Sequence, residues 1–328
     1  MNPILTIAIT TYNRKAQLLR QLNSIYSQPE CRDVSVLIID NHSNYDVEDF
    51  VRESFDKALL QNTSFVINPK NLGMNTNLCL PFFYCKTEWM WTLSDDDETV
   101  SGSIGVVLNN IVVYPNVSVF KYQVKGFKDY CNQDFETLPD LIDFYYNGYH
   151  TGHLVFLSNC VYNLKKLKDF DNDIITNCFC AIPQVLPIFN ILDNRQGIVR
   201  YVNTVLVNYM PPKRNKGWNY LKTAVQFSIV PFFDYKLSTK YYKRFGFVIM
   251  SNFSHFRIII SALELKSKKR GKFLYKQIYN RSFRYSGQLI DKIYYILFFI
   301  MYYTRIRISY DMALNFRSFI RKYIPNFR

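Results

Sequence analysis

The chain has 328 residues, of which 48% are hydrophobic, so it can bury a sizeable core, and this composition excludes an intrinsically disordered chain. The net charge of +14 is concentrated at one end, because residues 1–235 carry a net −3 and residues 236–328 carry a net +17. A basic segment rich in Tyr and Phe indicates an anionic partner, and membrane phospholipid and nucleic acid are the two candidates.

The sequence shows neither a signal peptide nor a membrane-spanning stretch. The N-terminal MNPILTIAITTYNRK has no basic residue before its short apolar run. No apolar stretch reaches the roughly 20 residues of a spanning helix, and the longest, residues 293–303, predicts a helix that is buried or lies in the membrane interface. The seven cysteines form no CxxC pair, which favours free, mostly buried thiols in a reducing cytoplasm.

The first 100 residues alternate between strand-like and helix-like segments. Apolar, β-branched stretches predict strands at residues 4–9, 34–39, 64–67 and 89–93. A helix with Thr11 or Asn13 as its cap follows the first strand, and a less regular helix covers residues 47–60. The continuous apolar run at 34–39 is typical of a central parallel strand. The alternation therefore implies βαβ units and a parallel sheet.

The pattern after residue 105 is less regular. Strands are predicted at residues 117–122, 154–157 and 198–207, with an acidic, aromatic segment at 134–149. Residues 211–217 read as a loop, and the sequence from about residue 220 is mainly helical.

Polar residues follow the predicted strands where each of them ends. Thr10, Thr11, Tyr12 and Asn13 follow the first strand, Asp40 and Asn41 the second, and Asp95, Asp96 and Asp97 a later one. Ligands of parallel sheets bind beyond the carboxyl ends of the strands. This arrangement predicts a ligand site at that edge of the sheet.

Three consecutive aspartates repel one another unless a cation or solvent compensates their charge. Carboxylates are preferred ligands of Mg²⁺ and Mn²⁺, which also accept phosphate oxygens. A metal bound to a diphosphate would stabilise a departing nucleoside diphosphate. The alternative is a solvated acidic turn that caps the next helix. Asp40 likewise fits either a contact to a base or ribose or an Asx-turn, and Gly73 fits either close approach of a ligand or a turn with positive φ.

Four motifs occur in order along the N-terminal part: TTYNR, IIDNHS, NLGMNTN and LSDDDE. Their order and spacing resemble the family 2 glycosyltransferases of the GT-A fold, and most closely the bacterial members that build O-antigen, capsule and other surface polysaccharides. The resemblance covers roughly residues 3–125. It implies an α/β fold with a GT-A-like, Rossmann-type mixed sheet flanked by helices, followed by a mainly helical, basic C-terminal region.

The resemblance also implies roles for individual residues. Thr11 and Tyr12 would line the nucleotide pocket, and Asp40 would bind the base. Asn71 and Gly73 would contact the nucleotide, and Asn77 falls at a polar position nearby. Asp95 and Asp97 would form the DxD pair, with Asp97 as the direct metal ligand and Asp96 supporting the ribose or the metal. The implied substrate is a nucleotide sugar, used with Mg²⁺ or Mn²⁺ in a transfer that inverts the anomeric centre.

The sequence departs from the family pattern in two places. Thr10 replaces a common proline. Residues 177–189 contain no acid where inverting members often carry a Glu-Asp pair, and Pro183-Gln184 is the candidate for that position. An inverting transferase needs a group that accepts the proton of the acceptor hydroxyl. The candidates for this base are Asp173, Asp171 and His153, with His150 nearby.

The implied organisation is a glycosyltransferase domain at residues 1–220, divided into a donor half (1–125) and an acceptor half (126–220), and a basic aromatic region at 221–328. A cytoplasmic enzyme at the inner face of the membrane, acting on a glycan or lipid-linked acceptor, fits this arrangement. Two alternatives are an inactive transferase-like assembly partner and a nucleic-acid-binding protein. The second shows no recognisable motif, so nucleic acid is not an expected partner.

Overall fold

The structure is a computed structural model that describes residues 3–126, 132–148, 151–209, 219–285 and 289–304. The chain divides into two compact units. The first comprises Met1–Phe144 and Gly148–Asn215, and the second comprises Tyr145–Asn147 and Lys216–Arg328. The predicted loop at 211–217, His150 and the end of the chain from residue 305 lie outside the described residues.

The described residues contain ten strands and fourteen α-helices. The strands are β1 (Leu5–Thr11), β2 (Ser35–Asp40), β3 (Thr63–Ile67), β4 (Trp89–Ser94), β5 (Glu98–Thr99), β6 (Val117–Gln123), β7 (Gln133–Phe135), β8 (Cys160–Asn163), β9 (Ile198–Val205) and β10 (Val207–Asn208). The helices are α1 (Lys15–Tyr26), α2 (Val47–Ser54), α3 (Met74–Tyr84), α4 (Ser103–Val113), α5 (Leu138–Tyr146), α6 (Gly152–Val155), α7 (Leu164–Leu167), α8 (Asp171–Thr176), α9 (Leu186–Asp193), α10 (Tyr220–Phe227), α11 (Thr239–Met250), α12 (His255–Leu263), α13 (Lys268–Arg281) and α14 (Leu289–Thr304).

Eight strands of the first unit form one mixed sheet in the order β3-β2-β1-β4-β8-β6-β9-β7, and β10 pairs with β5 separately. The four strands β3, β2, β1 and β4 are mutually parallel, whereas β8 runs antiparallel to β4 and β6. Helices flank this sheet, which confirms the predicted mixed α/β architecture. The chain passes from β1 to β2 and β3 on one side and returns to β4 on the other, so β1 and β4 border a topological switch point.

The apolar pattern explains why the first strands form the centre of this sheet. In β2, five of the six residues are buried, and β1 and β4 are also buried along nearly their whole length. Both faces of these strands are therefore covered, as the continuous apolar runs predict. Leu18, Leu22 and Ile25 of α1 pack into the same core, which confirms the apolar face predicted for this helix.

Three local predictions are wrong. Residues 154–157 do not form a strand, because α6 occupies Gly152–Val155 and the strand lies at Cys160–Asn163 instead. A four-residue apolar run does not distinguish a helix from a strand. Neither Thr11 nor Asn13 caps α1, because the N-cap residue is Arg14, whose side chain makes no capping hydrogen bond to the helix. The Thr11 hydroxyl instead donates a hydrogen bond to Asp95. The side-chain oxygen of Asn13 accepts one from the Asn44 backbone amide. The helix predicted at 47–60 ends at Ser54.

The described part of the second unit is mainly helical, as predicted, and contains the helices α10 to α14. Gly271 allows α13 to approach α12 closely, because a Cβ at this position would lie 2.0 Å from the Ala262 carbonyl oxygen. In the part of the chain that the structure describes, no single helix is long and apolar enough to cross a membrane. The consecutive helices α11 and α12, bent by 73° at their junction, pass the same length and composition test only as a pair.

A buried polar network lies inside the second unit. His255 at the start of α12 binds the Asp291 carboxylate through Nδ1 at 2.7 Å and the Tyr275 hydroxyl through Nε2 at 2.8 Å. The His255 ring stacks on the Phe283 ring with 4.0 Å between the ring centroids, and it also contacts the Tyr294 ring edge-on. Burial lowers the pKa of His255 below its usual value of 6.5, although the Asp291 carboxylate opposes this shift. The imidazole is therefore neutral in the folded protein at pH 7.

We expect acidification to destabilise the second unit through this histidine. The unfolded chain takes up a proton on His255 near pH 6.5, whereas folded His255 takes it up only at lower pH, so the unfolded state binds more protons between the two values. The stabilising contribution is complete above about pH 6.5 and is lost as the pH falls through the folded pKa. Hydrogen exchange of the α12 amides between pH 7 and 5 measures this loss.

The variant His255→Asn should flatten this pH dependence of exchange. The matched control is His42→Asn, which changes an exposed histidine in the first unit and should leave the α12 profile unchanged. A steep profile that persists in His255→Asn would assign the pH dependence to another group.

Candidate functional site at the carboxyl ends of β1 and β4

The predicted polar residues meet at the switch point between β1 and β4. The register pairs Thr10 with Ser94, so the residues that follow these two positions emerge together at one edge of the sheet. The Thr11 hydroxyl donates a hydrogen bond of 2.8 Å to Asp95 Oδ2, and both residues are buried. The exposed Tyr12 follows directly after Thr11. The structure thus brings together the first and last of the four motifs.

Arg14 lies between the first two aspartates. Its Nη1 donates to Asp95 Oδ1 at 2.9 Å and to Asp96 Oδ2 at 2.6 Å, and the Ser94 hydroxyl donates a short hydrogen bond to Asp96. Burial raises the pKa of Asp95 to about 6, although the Arg14 cation and the Thr11 hydroxyl oppose this shift. The guanidinium therefore compensates the buried Asp95 charge only in part.

Asp97 is buried on the other side of the cluster, with 2% of its surface exposed. Its Oδ2 accepts a hydrogen bond of 2.6 Å from the Ser158 hydroxyl, and Ser158 Oγ in turn accepts one of 2.9 Å from the Ser94 amide. The solvated acidic turn is therefore excluded for Asp95 and Asp97. Within the described residues, no three His, Cys, Asp or Glu side chains converge on one point. The carboxylates of Asp95 and Asp97 fit a Mg²⁺ or Mn²⁺ ion that takes its other ligands from phosphate and water.

A chain of asparagine amides forms the next part of the site, beside the carboxyl ends of β2 and β3. Asn41 Nδ2 donates to Asn71 Oδ1 at 3.0 Å, and Asn41 Oδ1 accepts from the Leu72 amide at 2.9 Å. Asn68 Nδ2 bridges Asn41 at 3.2 Å and Asn77 at 3.0 Å. The structure thus joins Asn71 and Asn77 through Asn41 and Asn68, which the sequence reasoning did not assign.

Gly73 is the N-cap residue of α3 and has a φ of +84°, a backbone conformation that residues other than glycine adopt only with strain. The Gly73 amide donates to Asn71 Oδ1 at 2.8 Å. No atom lies within 4 Å of the place that a Cβ would occupy. The turn with positive φ is therefore present, and the face of the loop without a side chain is open.

Asp40 ends β2 with 2% of its surface exposed. Both of its carboxylate oxygens accept from the Ser43 amide at 3.0 Å, and Oδ1 also accepts from the Ser43 hydroxyl at 2.6 Å. Asp40 thus forms the local turn that the sequence offered as the alternative to a nucleotide contact. Oδ1 uses both of its lone pairs in these contacts, whereas Oδ2 keeps a second lone pair, so one hydrogen bond from a ligand stays compatible with this turn.

Two tyrosines that the sequence reasoning missed lie near the carboxylates. The Tyr45 hydroxyl is buried and has no hydrogen-bond partner among the described residues. Burial, with Asp40 and then Asp95, raises the pKa of Tyr45 to about 12. Tyr209 follows β10, whose Asn208 pairs with Glu98 of β5, and burial with the nearby Asp97 and Asp96 raises its pKa. No motif marks either residue, since both are brought close by folding.

The three candidate bases differ in what is known of their exposure and contacts. Asp173 is exposed in α8 and accepts a hydrogen bond of 3.2 Å from Asn190 Nδ2. Asp171 begins the same helix, and its side chain lies outside the described part. His153 is 2% exposed, and its Nε2 lies 2.8 Å from the Tyr122 carbonyl oxygen, so its side chain is buried in the core.

Comparison with known proteins adds a family and a fold. The family model described as Glycosyl transferase family 2 matches residues 6–169, half of the chain. No curated protein matches the sequence. The structure is similar to that of S. aureus TarS 1-349, with 12% identity, a TM-score of 0.60, and coverage of 86% of this chain and 81% of TarS 1-349.

The same TarS fragment in complex with UDP-GlcNAc aligns with 13% identity and a TM-score of 0.61, covering 85% of this chain and 79% of that one. A mannosyltransferase from Pyrobaculum calidifontis, solved with GDP-Man and Mn²⁺, aligns with 13% identity and a TM-score of 0.49, covering 86% and 74%. The TarS alignments establish a shared fold over most of the chain.

We expect Asn41→Ala to loosen the loop at residues 68–73. The substitution leaves the Leu72 amide without its acceptor and removes one of the two hydrogen bonds to Asn71 Oδ1, which should cost about 1–3 kcal/mol in the free energy of unfolding. Urea unfolding and hydrogen exchange of the Leu72 amide measure the two effects. The control Asn44→Ala alters an exposed side chain nearby, and equal losses in both variants would contradict a specific role for Asn41.

Proposed function

The chain belongs to glycosyl transferase family 2 and is a glycosyltransferase, and we propose that it transfers a sugar from a nucleotide-activated donor to a glycan or lipid-linked saccharide acceptor. The observation that carries the proposal is the burial of Asp95 and Asp97 at the switch point of a GT-A sheet. Burial of a carboxylate costs free energy even where neighbours donate hydrogen bonds to it, and a site with two buried carboxylates two residues apart in the chain is suited to a cationic ligand.

Asp97 is proposed as the direct ligand of Mg²⁺ or Mn²⁺, with Asp95 as the second carboxylate and Asp96 supporting the ribose or the metal. The bound ion would supply positive charge where the nucleoside diphosphate leaves. Ser158 keeps Asp97 oriented through its hydroxyl, and Thr11 and Arg14 orient Asp95 in the same way. The carboxylates are thereby held in place before the donor binds.

The nucleotide is proposed to lie along the carboxyl ends of β1, β2 and β3. The residues proposed to contact it are Thr11, Tyr12, Asp40, Asn71, Gly73 and Asn77. The open face of Gly73 supports close approach of a ligand to this loop, and neutral amides beside it do not repel phosphate. The likeness of fold to TarS 1-349 in complex with UDP-GlcNAc is consistent with a nucleotide-sugar donor.

For the acceptor side we propose a single inverting displacement, in which a carboxylate accepts the proton of the acceptor hydroxyl. Asp173 is the exposed candidate, and Asp171 is the second. The lack of acid in residues 177–189 supports the competing proposal of an inactive assembly partner. Donor binding without turnover on any lipid-linked acceptor would favour that second function.

The proposed setting is the synthesis of a surface polysaccharide such as O-antigen or capsule, in the cytoplasm at the inner face of the membrane. The net charge of +17 on residues 236–328 supports contact with anionic lipid.

We expect a nucleoside diphosphate to stabilise the protein only when Mn²⁺ is present. A ligand that binds only the folded state at about 100 times its Kd stabilises that state by about 2.7 kcal/mol. Asp97→Asn should abolish the Mn²⁺-dependent part, because it removes one charge while its amide oxygen can still accept from Ser158. A thermal-shift screen of nucleoside diphosphates with and without Mn²⁺ measures the effect.

The matched control is Glu98→Gln, which removes the same charge one residue along, at a side chain that pairs with Arg20. It should keep the Mn²⁺-dependent shift. Full retention of that shift in Asp97→Asn would refute the assignment of Asp97.

We expect Asp40→Ala to weaken nucleotide binding by about 1–3 kcal/mol, or about 5- to 150-fold in Kd, through lost hydrogen bonds to the base or ribose. Because Asp40 also holds the turn, Ser43→Ala serves as the control that removes the Ser43 hydroxyl and keeps the carboxylate. Isothermal titration calorimetry of nucleotide binding to both variants separates a direct contact of Asp40 with the nucleotide from its role in the turn. Equal losses of nucleotide affinity in the two variants would show that Asp40 acts only through the turn.

A further inference from the structure

Helix α14 carries an apolar stripe along one exposed face. The stripe consists of Leu289, Ile293, Ile296, Ile300 and Tyr303, which recur at intervals of four, three, four and three residues. These residues are 41% to 71% exposed, whereas Tyr294, Phe298 and Met301 on the other face are buried in the second unit. The 16-residue helix is about 24 Å long at about 1.5 Å per residue, so the stripe is long and narrow. A contiguous apolar surface of this kind marks an interaction site.

A shallow, open apolar depression on the same helix shares three residues with the stripe. It is lined by Tyr295, Ile296, Phe299, Ile300, Tyr303 and Thr304. Its aromatic rings pack against one another. The ring centroid of Tyr295 lies 4.0 Å from that of Tyr279 in a stacked pair and 5.0 Å from that of Phe299 in an edge-on pair. The surface is therefore built by packing within the second unit.

Helix α13 places lysines along the edge of this surface. Lys272 Nζ donates to the Tyr303 hydroxyl at 2.7 Å, and Lys276 Nζ lies 5.9 Å from the Phe299 ring. Lys292 is exposed within α14 itself. The only acid of α14, Asp291, is buried against His255 and does not neutralise this edge. The surface thus combines aliphatic side chains, tyrosines and lysines.

We propose that this α13–α14 surface binds an anionic lipid bilayer, with the stripe in the interface and Lys272, Lys276 and Lys292 at the headgroups. An amphipathic helix with aliphatic and aromatic residues on one face and lysines beside it lies in the plane of a membrane interface. The inference rests on the proposed function, because it names the part of the chain that reaches a membrane-bound acceptor.

Charge and composition favour the bilayer over other occupants. Two copies of the chain would bring together regions that each carry +17. Nucleic acid would match the lysines but not the exposed aliphatic residues Leu289, Ile293 and Ile296. An anionic bilayer matches both, since acyl chains accept the aliphatic side chains and phosphate groups attract the lysines.

The test is co-sedimentation of the full chain with vesicles of phosphatidylcholine alone or with added phosphatidylglycerol. We expect binding to the anionic vesicles, and a loss on the order of 10-fold in Ile296→Ser/Ile300→Ser from reduced apolar burial. Lys272→Gln/Lys276→Gln should also weaken binding and reduce its salt dependence. The controls are Val112→Ser, which removes the 72% exposed valine of α4, and Lys57→Gln/Lys86→Gln, which removes two exposed lysines of the first unit.

Three results would overturn the proposal: no binding to anionic vesicles, equal loss in the control variants, or a stripe variant that changes only the oligomeric state measured by sedimentation velocity. Salt-dependent binding to oligonucleotides in place of vesicles would equally overturn it. The Mn²⁺-dependent nucleotide shift is measured on the same preparations. Failure of vesicle binding with this shift intact rejects the lipid surface alone, whereas loss of the shift with vesicle binding intact rejects the donor site alone.

Discussion

The burial of two carboxylates at the end of β4 constrains the relative positions of three strands of the sheet. Asp95 and Asp97 are almost fully removed from solvent, and a buried charge without partners is costly. Their partners come from three separate segments: Thr11 from β1, Arg14 before α1, and Ser158 before β8. The relative positions of β1, β4 and β8 are therefore coupled to the same two side chains that are proposed to bind metal. Burial raises the pKa of Asp95 to about 6 although Arg14 and Thr11 oppose the shift, so burial outweighs these two partners.

The other edge of the proposed nucleotide site is held together by neutral groups. The amides of Asn41, Asn68, Asn71 and Asn77 satisfy one another and the backbone of the loop before α3. Neutral amides fix a loop without repelling a diphosphate, and they leave the charge balance of the site to the aspartates and a cation. The three consecutive aspartates thus lie at the end of β4, whereas the amides gather beside β2 and β3, where Asp40 accepts hydrogen bonds from Ser43.

The sequence predicted the features that depend on local pattern. The apolar runs located β1, β2, β3, β4 and β6 to within about two residues, and the polar ends of β1, β2 and β4 do converge. Features that depend on tertiary contacts were not predictable. Arg14 reads as an ordinary helix-start residue, and its pairing with Asp95 and Asp96 joins positions about 80 residues apart. The β8 strand was missed because CVYN is too short for its period to be read.

Gln184, the candidate for the position of the missing acid, is held by two hydrogen bonds. Its side-chain Nε2 donates to the Val155 carbonyl oxygen at 2.9 Å, and the backbone carbonyl oxygen of Gln184 accepts from the Tyr162 hydroxyl at 2.7 Å. Its Oε1 is buried without a partner among the described residues. A carboxamide accepts hydrogen bonds but does not take up a proton near neutral pH, so Gln184 can orient a hydroxyl without deprotonating it. If an acceptor hydroxyl lies near Gln184, its proton must pass to a different group, and the exposed carboxylate of Asp173 has the chemistry that this step requires.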